Sequence, residues 1–167
     1  MKSATITLYK NLLLADIDAL TFKRVDGVLS SESDQVKNAL SSDSEEALDK
    51  NILHRLIETR DAMIRGRIAF CLMDAGETLS ATNELSKDEE MFEYALSVPD
   101  TFNTGRLSSL AKKMHEYIVH GSLCDWYAMQ NMKGSVSEAG LEAMETEIVC
   151  MLRSSYVKRP LQPFGPK

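Results

Sequence analysis

Apolar residues recur along this chain mostly at helical spacing. In the stretch Ser44–Asp74, Leu48, Ile52, Leu56, Met63 and Phe70 fall near one face, and Leu53, Ile57, Ile64, Ile68 and Leu72 fall beside it. Ser42 and Glu45 precede this run as an S-x-x-E capping box. The pattern predicts a helix of about 45 Å at ~1.5 Å per residue. Its second half is apolar on several sides, which suits a central position. Further on, Leu107, Leu110, Met114, Tyr117, Gly121, Cys124 and Ala128 alternate at three and four residues, the seam of a bundle helix capped by Thr104. Gly121 is too weak a breaker to end that helix and marks a place for close packing or a kink. Leu141, Met144, Ile148, Met151 and Leu152 mark the face of a last helix, which runs to Val157 behind a Ser135/Glu138 capping box. The Lys133-Gly134 turn between these two helices predicts antiparallel neighbours.

The remaining segments read less sharply. Ala4, Ile6 and Leu8 alternate with Thr5, Thr7 and Tyr9, as in a short strand, but Leu13, Ile17 and Leu20 follow at helical spacing. The favoured reading of Met1–Tyr9 and beyond is a helix from about Thr7 to Lys23. Residues 26–44 are acidic and serine-rich and read as a connector holding one short helix, Ser33 to Leu40. Ser86 and Glu89 repeat the capping pattern and predict a helix to Ser97, closed by Pro99. No run after Leu8 reads as period-two alternation. The expected fold is therefore all-α, a four- or five-helix bundle with long antiparallel helices over residues 1–157, followed by an extended tail at 158–167.

Composition narrows the function classes. The 167 residues fit one domain, long enough to bury a core. A net charge of -6 argues against wholesale nucleic-acid binding, which draws on clustered Lys and Arg. No apolar run approaches the roughly 18 residues of a membrane span, and the first residues lack the pattern of a signal peptide. Three cysteines, Cys71, Cys124 and Cys150, lie far apart in apolar helical stretches, as buried thiols of a reducing cytoplasm do.

Candidate chemistry is sparse. His115-Glu116-Tyr117-Ile118-Val119-His120 approaches the H-E-x-x-H zinc motif, but five residues rotate about 140° around a helix and turn the two rings apart. Asp16 and Asp18 diverge by about 200° on a helix. His54 can meet Glu58, and Asp61 can meet Arg65, at i,i+4. Arg65 and Arg67 sit where the helix turns apolar, and pairing with Asp or Glu would account for them. No P-loop, G-x-G-x-x-G, C-x-x-C or G-x-S-x-G pattern occurs. No metal and no cofactor are expected, and the chain reads as a non-enzyme.

The C-terminal end suggests contact with a partner. Trp126 and Tyr127 are residues of the type that dominates binding hot spots, with core packing as the plainer reading of Trp126. Met114, Met129, Met132, Met144 and Met151 cluster on the predicted hairpin, where methionine fills gaps or adapts to an interface. In the tail, Pro160, Pro163 and Pro166 recur at the three-residue period of polyproline II, with Leu161 and Phe164 on the adjoining edge and Lys158, Arg159 and Lys167 supplying positive charge. The expected contact residues are Trp126, Tyr127, Arg159, Pro160, Leu161, Pro163 and Phe164.

Taken together, Asp125-Trp126-Tyr127, the glutamate-rich helix after it and the basic end Val157-Lys158-Arg159-Pro160-Leu161-Gln162-Pro163-Phe164 resemble small helical proteins of prophage structural-gene clusters, which serve virion assembly around the neck or tail. The resemblance covers about the last sixty residues and implies a non-enzymatic subunit of a ring or connector. The expectation is thus an assembly subunit, in the cytoplasm or in a phage particle, whose partner is another protein or a second copy. A regulatory helical adaptor is the second reading. A hydrolase using His115, His120 or His54 is the third.

Overall fold

The computed structural model describes residues 1–28, 47–73, 90–130 and 137–154. Its elements are strand β1 (Lys2–Tyr9), helix α1 (Lys10–Val28), helix α2 (Ala47–Ile68) with a 3-10 turn at Ala69–Cys71, strand β2 (Met91–Val98), helix α3 (Arg106–Met129) and helix α4 (Glu138–Arg153). The fold is mostly helical but not all-α. The two strands form an antiparallel pair running in register from Lys2↔Val98 to Tyr9↔Met91.

Both strands correct the helical reading. Alternation in Ala4–Leu8 is that of β1, and the helical spacing from Leu13 belongs to α1, which starts at Lys10 and not at Thr7. The segment expected to be a helix ending at Ser97 is β2. There Phe92, Tyr94, Leu96 and Val98 are buried while Met91, Glu93 and Ala95 are exposed, the period of a half-buried strand. Two aromatics and a valine in that row favour the pleated surface. Ile6 and Leu8 stand opposite Tyr94 and Phe92 and complete the inner face.

The inner face packs on the helices, and α3 is the hub. It touches α1, α2, α4 and β1, and in its middle Tyr117, Ile118, Val119, Gly121, Ser122 and Leu123 are all buried. The central place expected for the Ser44–Asp74 helix thus belongs to α3. In α2, Leu53, Ile57, Ile64 and Ile68 carry the burial, while Met63 and Phe70 of the neighbouring row are exposed. After the 3-10 turn the chain leaves the helical path. Leu72 bridges Leu96, and Met73 N donates to Ala95 O at 2.8 Å.

Helices α3 and α4 run antiparallel, as the hairpin reading required. Arg106 near the start of α3 meets Ser154 beyond the end of α4, and Lys113 meets Glu147 one stage inward. Two capping assignments change. Ser137, not Ser135, caps α4, its Oγ accepting from Gly140 N. At the start of α3 it is the Asn103 side chain that accepts from Gly105 N, and Thr104 contributes only its backbone carbonyl, to Leu107. The body of the 26–44 connector, the Lys133-Gly134 turn and the 158–167 tail lie outside the described residues.

Candidate functional site

Glu58, Arg60, Asp61 and Arg67 of α2 each hold a partner on another element. Arg60 forms a two-point pair with Asp125 of α3, Nε at 2.8 Å and Nη2 at 2.6 Å from the two carboxylate oxygens. Burial alone would lower the Arg60 pKa, but the bonding and charge of Asp125, with a smaller contribution from Tyr117, raise it. Asp61, itself buried, accepts a hydrogen bond from the Tyr94 hydroxyl of β2 and another from Arg65 Nε at 2.7 Å. The Arg65 guanidinium also lies 4.4 Å from the centre of the Tyr94 ring. Arg67 reaches Glu145 of α4. Glu58 takes Lys10 at 3.2 Å, and that ammonium sits 4.8 Å from the Phe92 ring centre. Arg65 and Arg67 are thus explained by pairing, as their place in the sequence suggested.

The expected contact residues divide into two groups. Trp126 and Tyr127 are only 2% and 1% exposed, so the core reading applies to both and neither is presented as a surface anchor. Asp125-Trp126-Tyr127 is turned inward as a unit, one residue into an ion pair and two into the core. Arg159, Pro160, Leu161, Pro163 and Phe164 lie outside the described residues.

The histidines meet differently from the reading of diverging rings. His115 and His120 line one groove of about 190 Å³ between α1 and α3, with Asp16, Leu20, Glu116 and Val119. His115 Nε2 is 2.7 Å from Asp16 Oδ2 across the two helices. Both rings thus border the same groove although five residues separate them on α3. Among the described residues no three His, Cys, Asp or Glu side chains come together as a metal site. A second groove of about 440 Å³ runs between Arg67, Glu145, Cys150 and Arg153.

A further feature was missed in the sequence, because it belongs to the strands. Lys10 N donates to Glu90 O at 2.9 Å, one step beyond Tyr9↔Met91 in the same register. Even-numbered residues of β1 therefore bond to β2, and Ser3, Thr5, Thr7 and Tyr9 turn their N–H and C=O groups to the opposite edge. On β2 the same alternation sends Ala95 O outward to Met73. β2 is flanked on both sides, whereas among the described residues no strand pairs with the outer edge of β1. The outer face beside that edge holds the exposed cross-strand neighbours Tyr9 (48%) and Met91 (40%), and Met1 (72%) lies just before the strand.

Among the described residues no helix is long and apolar enough to cross a membrane. Compared with family models, with curated proteins and with solved structures, the chain matches none.

Proposed function

We propose that this chain is a non-enzymatic assembly subunit that works by self-association or by docking on a larger complex. The observation that carries this reading is the outer edge of β1, an eight-residue strand whose outward backbone groups meet no partner strand among the described residues. Such an edge is a template for pairing with another chain. Natural edges are blunted by bulges, prolines or inward charges, and β1 is regular, proline-free and charged only at Lys2. Glu58, Arg60, Asp61 and Arg67 of α2 support the same reading, since each is occupied by another element and they lend the scaffold one arrangement. A phage-derived particle is the proposed setting, on the strength of the C-terminal resemblance.

Light scattering on the full chain, and on a chain lacking residues 158–167, tests this. A mass above that of one chain, or recovery of the chain in a larger complex on sedimentation of its host extract, is the expected result. A single-chain mass together with no larger complex would overturn the proposal.

The His115–Asp16 pair favours a second reading, hydrolysis with His115 as general base, because a carboxylate bound to one ring nitrogen orients the imidazole for proton transfer at the other. Loss of a measured hydrolytic activity in His115→Ala, with the fold intact, would be required for it.

A further inference from the structure

We infer that the partner strand for β1 is β1 of a second copy, paired antiparallel about a two-fold axis through Thr5. This rests on the assembly reading above and names its interface.

Three properties of the strand select this occupant. The first is backbone geometry. The outward N–H and C=O groups belong to odd-numbered residues, so the hydrogen-bonded pairs of a new ladder must join odd to odd. With Thr5 opposite Thr5, Ser3 falls opposite Thr7 and Ala4 opposite Ile6. Three hydrogen-bonded pairs result, each exchanging two bonds, and side chains stay on matching faces. The inner row Ala4, Ile6, Leu8 continues into the same row of the second copy, making one four-stranded sheet.

The second is the exposed apolar surface. In this register Met1 of one copy comes beside Tyr9 of the other, on the outer face. The row then reads Met91, Tyr9, Met1, three residues that are 40%, 48% and 72% exposed in the single chain. Each two-fold-related end of the sheet gains the same cover, as an isologous interface requires.

The third is charge. The Met1 end of β1 carries Lys2, which is exposed. The Tyr9 end carries Glu93 on β2 and Glu90 just before it, both exposed, while Lys10 is already paired with Glu58. Antiparallel pairing sets the basic end of each copy against the acidic end of the other. Shifting the axis by one residue to Ile6 would carry Met1 past Tyr9 and lose the apolar cover on the outer face.

The test uses the full chain. Sedimentation should find a dimer for the unmodified protein. Thr5→Pro should abolish it, because the Thr5 N–H faces the outer edge and makes no bond to β2, so proline there blocks the new ladder alone. Circular dichroism of Thr5→Pro should keep the helical signal of the parent, and its Tm should be independent of concentration and match that of the parent at dilutions where the parent is dissociated. Thr5→Lys and Thr5→Glu should each be monomeric, since like charges then meet across the axis, and mixing the two should restore a dimer. A parent that is monomeric at every concentration overturns the inference. A dimer that survives Thr5→Pro overturns it too, and leaves the assembly reading standing. Failure of the Lys and Glu variants to pair overturns the axis at Thr5.

Discussion

Gly121 is the position where the packing of α3 can be tested most sharply. A Cβ built there lies 2.7 Å from Arg60 Cδ, 2.8 Å from Nε and 3.2 Å from Cγ. Those atoms are the middle of a side chain whose far end is fixed on Asp125 at 2.8 and 2.6 Å, so Arg60 cannot swing aside without breaking the pair. Two effects compete in Gly121→Ala. Helix propensity favours alanine by about 1 kcal/mol. Overpacking costs about 1–3 kcal/mol, and displacing Arg60 adds part of the ~3–5 kcal/mol seen when a fully buried pair is broken. Only part applies, because the Arg60 and Asp125 side chains are 12% and 32% exposed and water screens them. The net expectation is a loss of about 2 kcal/mol, or roughly 4–8 °C in Tm at this chain length. Urea and thermal unfolding followed by circular dichroism measure it. In an Arg60→Ala background the obstruction is gone, and the same glycine substitution should stabilise by up to about 1 kcal/mol. A Gly121→Ala protein at least as stable as the parent, or the same loss in both backgrounds, would refute the argument.

Two other substitutions follow from the buried polar groups. Tyr94→Phe keeps the ring under Arg65 but removes the hydroxyl that donates to Asp61, and should cost about 1.5–3 kcal/mol in urea unfolding, the range for a bond to a charged group; a loss below about 0.5 kcal/mol would contradict that role. Burial lifts the Cys71 thiol from its ordinary 9.0 to about 11. The unfolded chain therefore loses this proton first, and stability present below pH 9 should fall by about 2–3 kcal/mol as pH rises to 11. Burial also raises the Tyr94 hydroxyl, with the negative charge of Asp61 acting in the same direction, so from about pH 10, where unfolded tyrosine loses its proton, Tyr94 adds to the decline and extends it to higher pH. Cys71→Ala should flatten the pH 9–10 part of the curve and make it shallower between 10 and 11, whatever its effect on absolute stability.

The helical faces were legible because each is a local pattern. Leu110, Met114 and Tyr117 on α3, and Leu141, Ile148 and Leu152 on α4, are buried as their spacing requires. The pair between Asp61 and Arg65 was legible for the same reason, both residues lying one turn apart on one helix. The sheet was not. Its strands stand about ninety positions apart, so neither carries a turn signal pointing to the other, and each adjoins a competing pattern. β1 runs directly into α1, whose Leu13 and Ile17 extend a helical reading backwards over it. β2 follows a capping-box sequence, and the alternation of Phe92, Tyr94, Leu96 and Val98 was read through that cap. Once the sheet is missed its open edge is missed too, because the edge is a property of backbone parity and has no side-chain signature. Pairs between elements, such as Arg60 with Asp125 or Asp16 with His115, need the packing before they can be seen.

The ion pairs of α2 carry more orientation than stability. Its buried stripe of Leu53, Ile57, Ile64 and Ile68 is apolar and uniform in size, and such a stripe tolerates rotation or slippage at modest cost. Arg60, Asp61 and Arg67 lie outside that stripe, and each has its partner on a different element: α3, β2 and α4. Turning α2 by one residue, about 100°, would carry all three away from their partners together. A paired, partly buried charge adds little net stability, but a half-broken pair is expensive. The three contacts therefore penalise every wrong seating of α2 beyond what they add to the right one. That penalty also reaches β1. Tyr94, fixed to Asp61, stands directly opposite Ile6 in the middle of the strand pair. The edge that carries the proposed function is held in place by a helix whose charges serve as its locating pins.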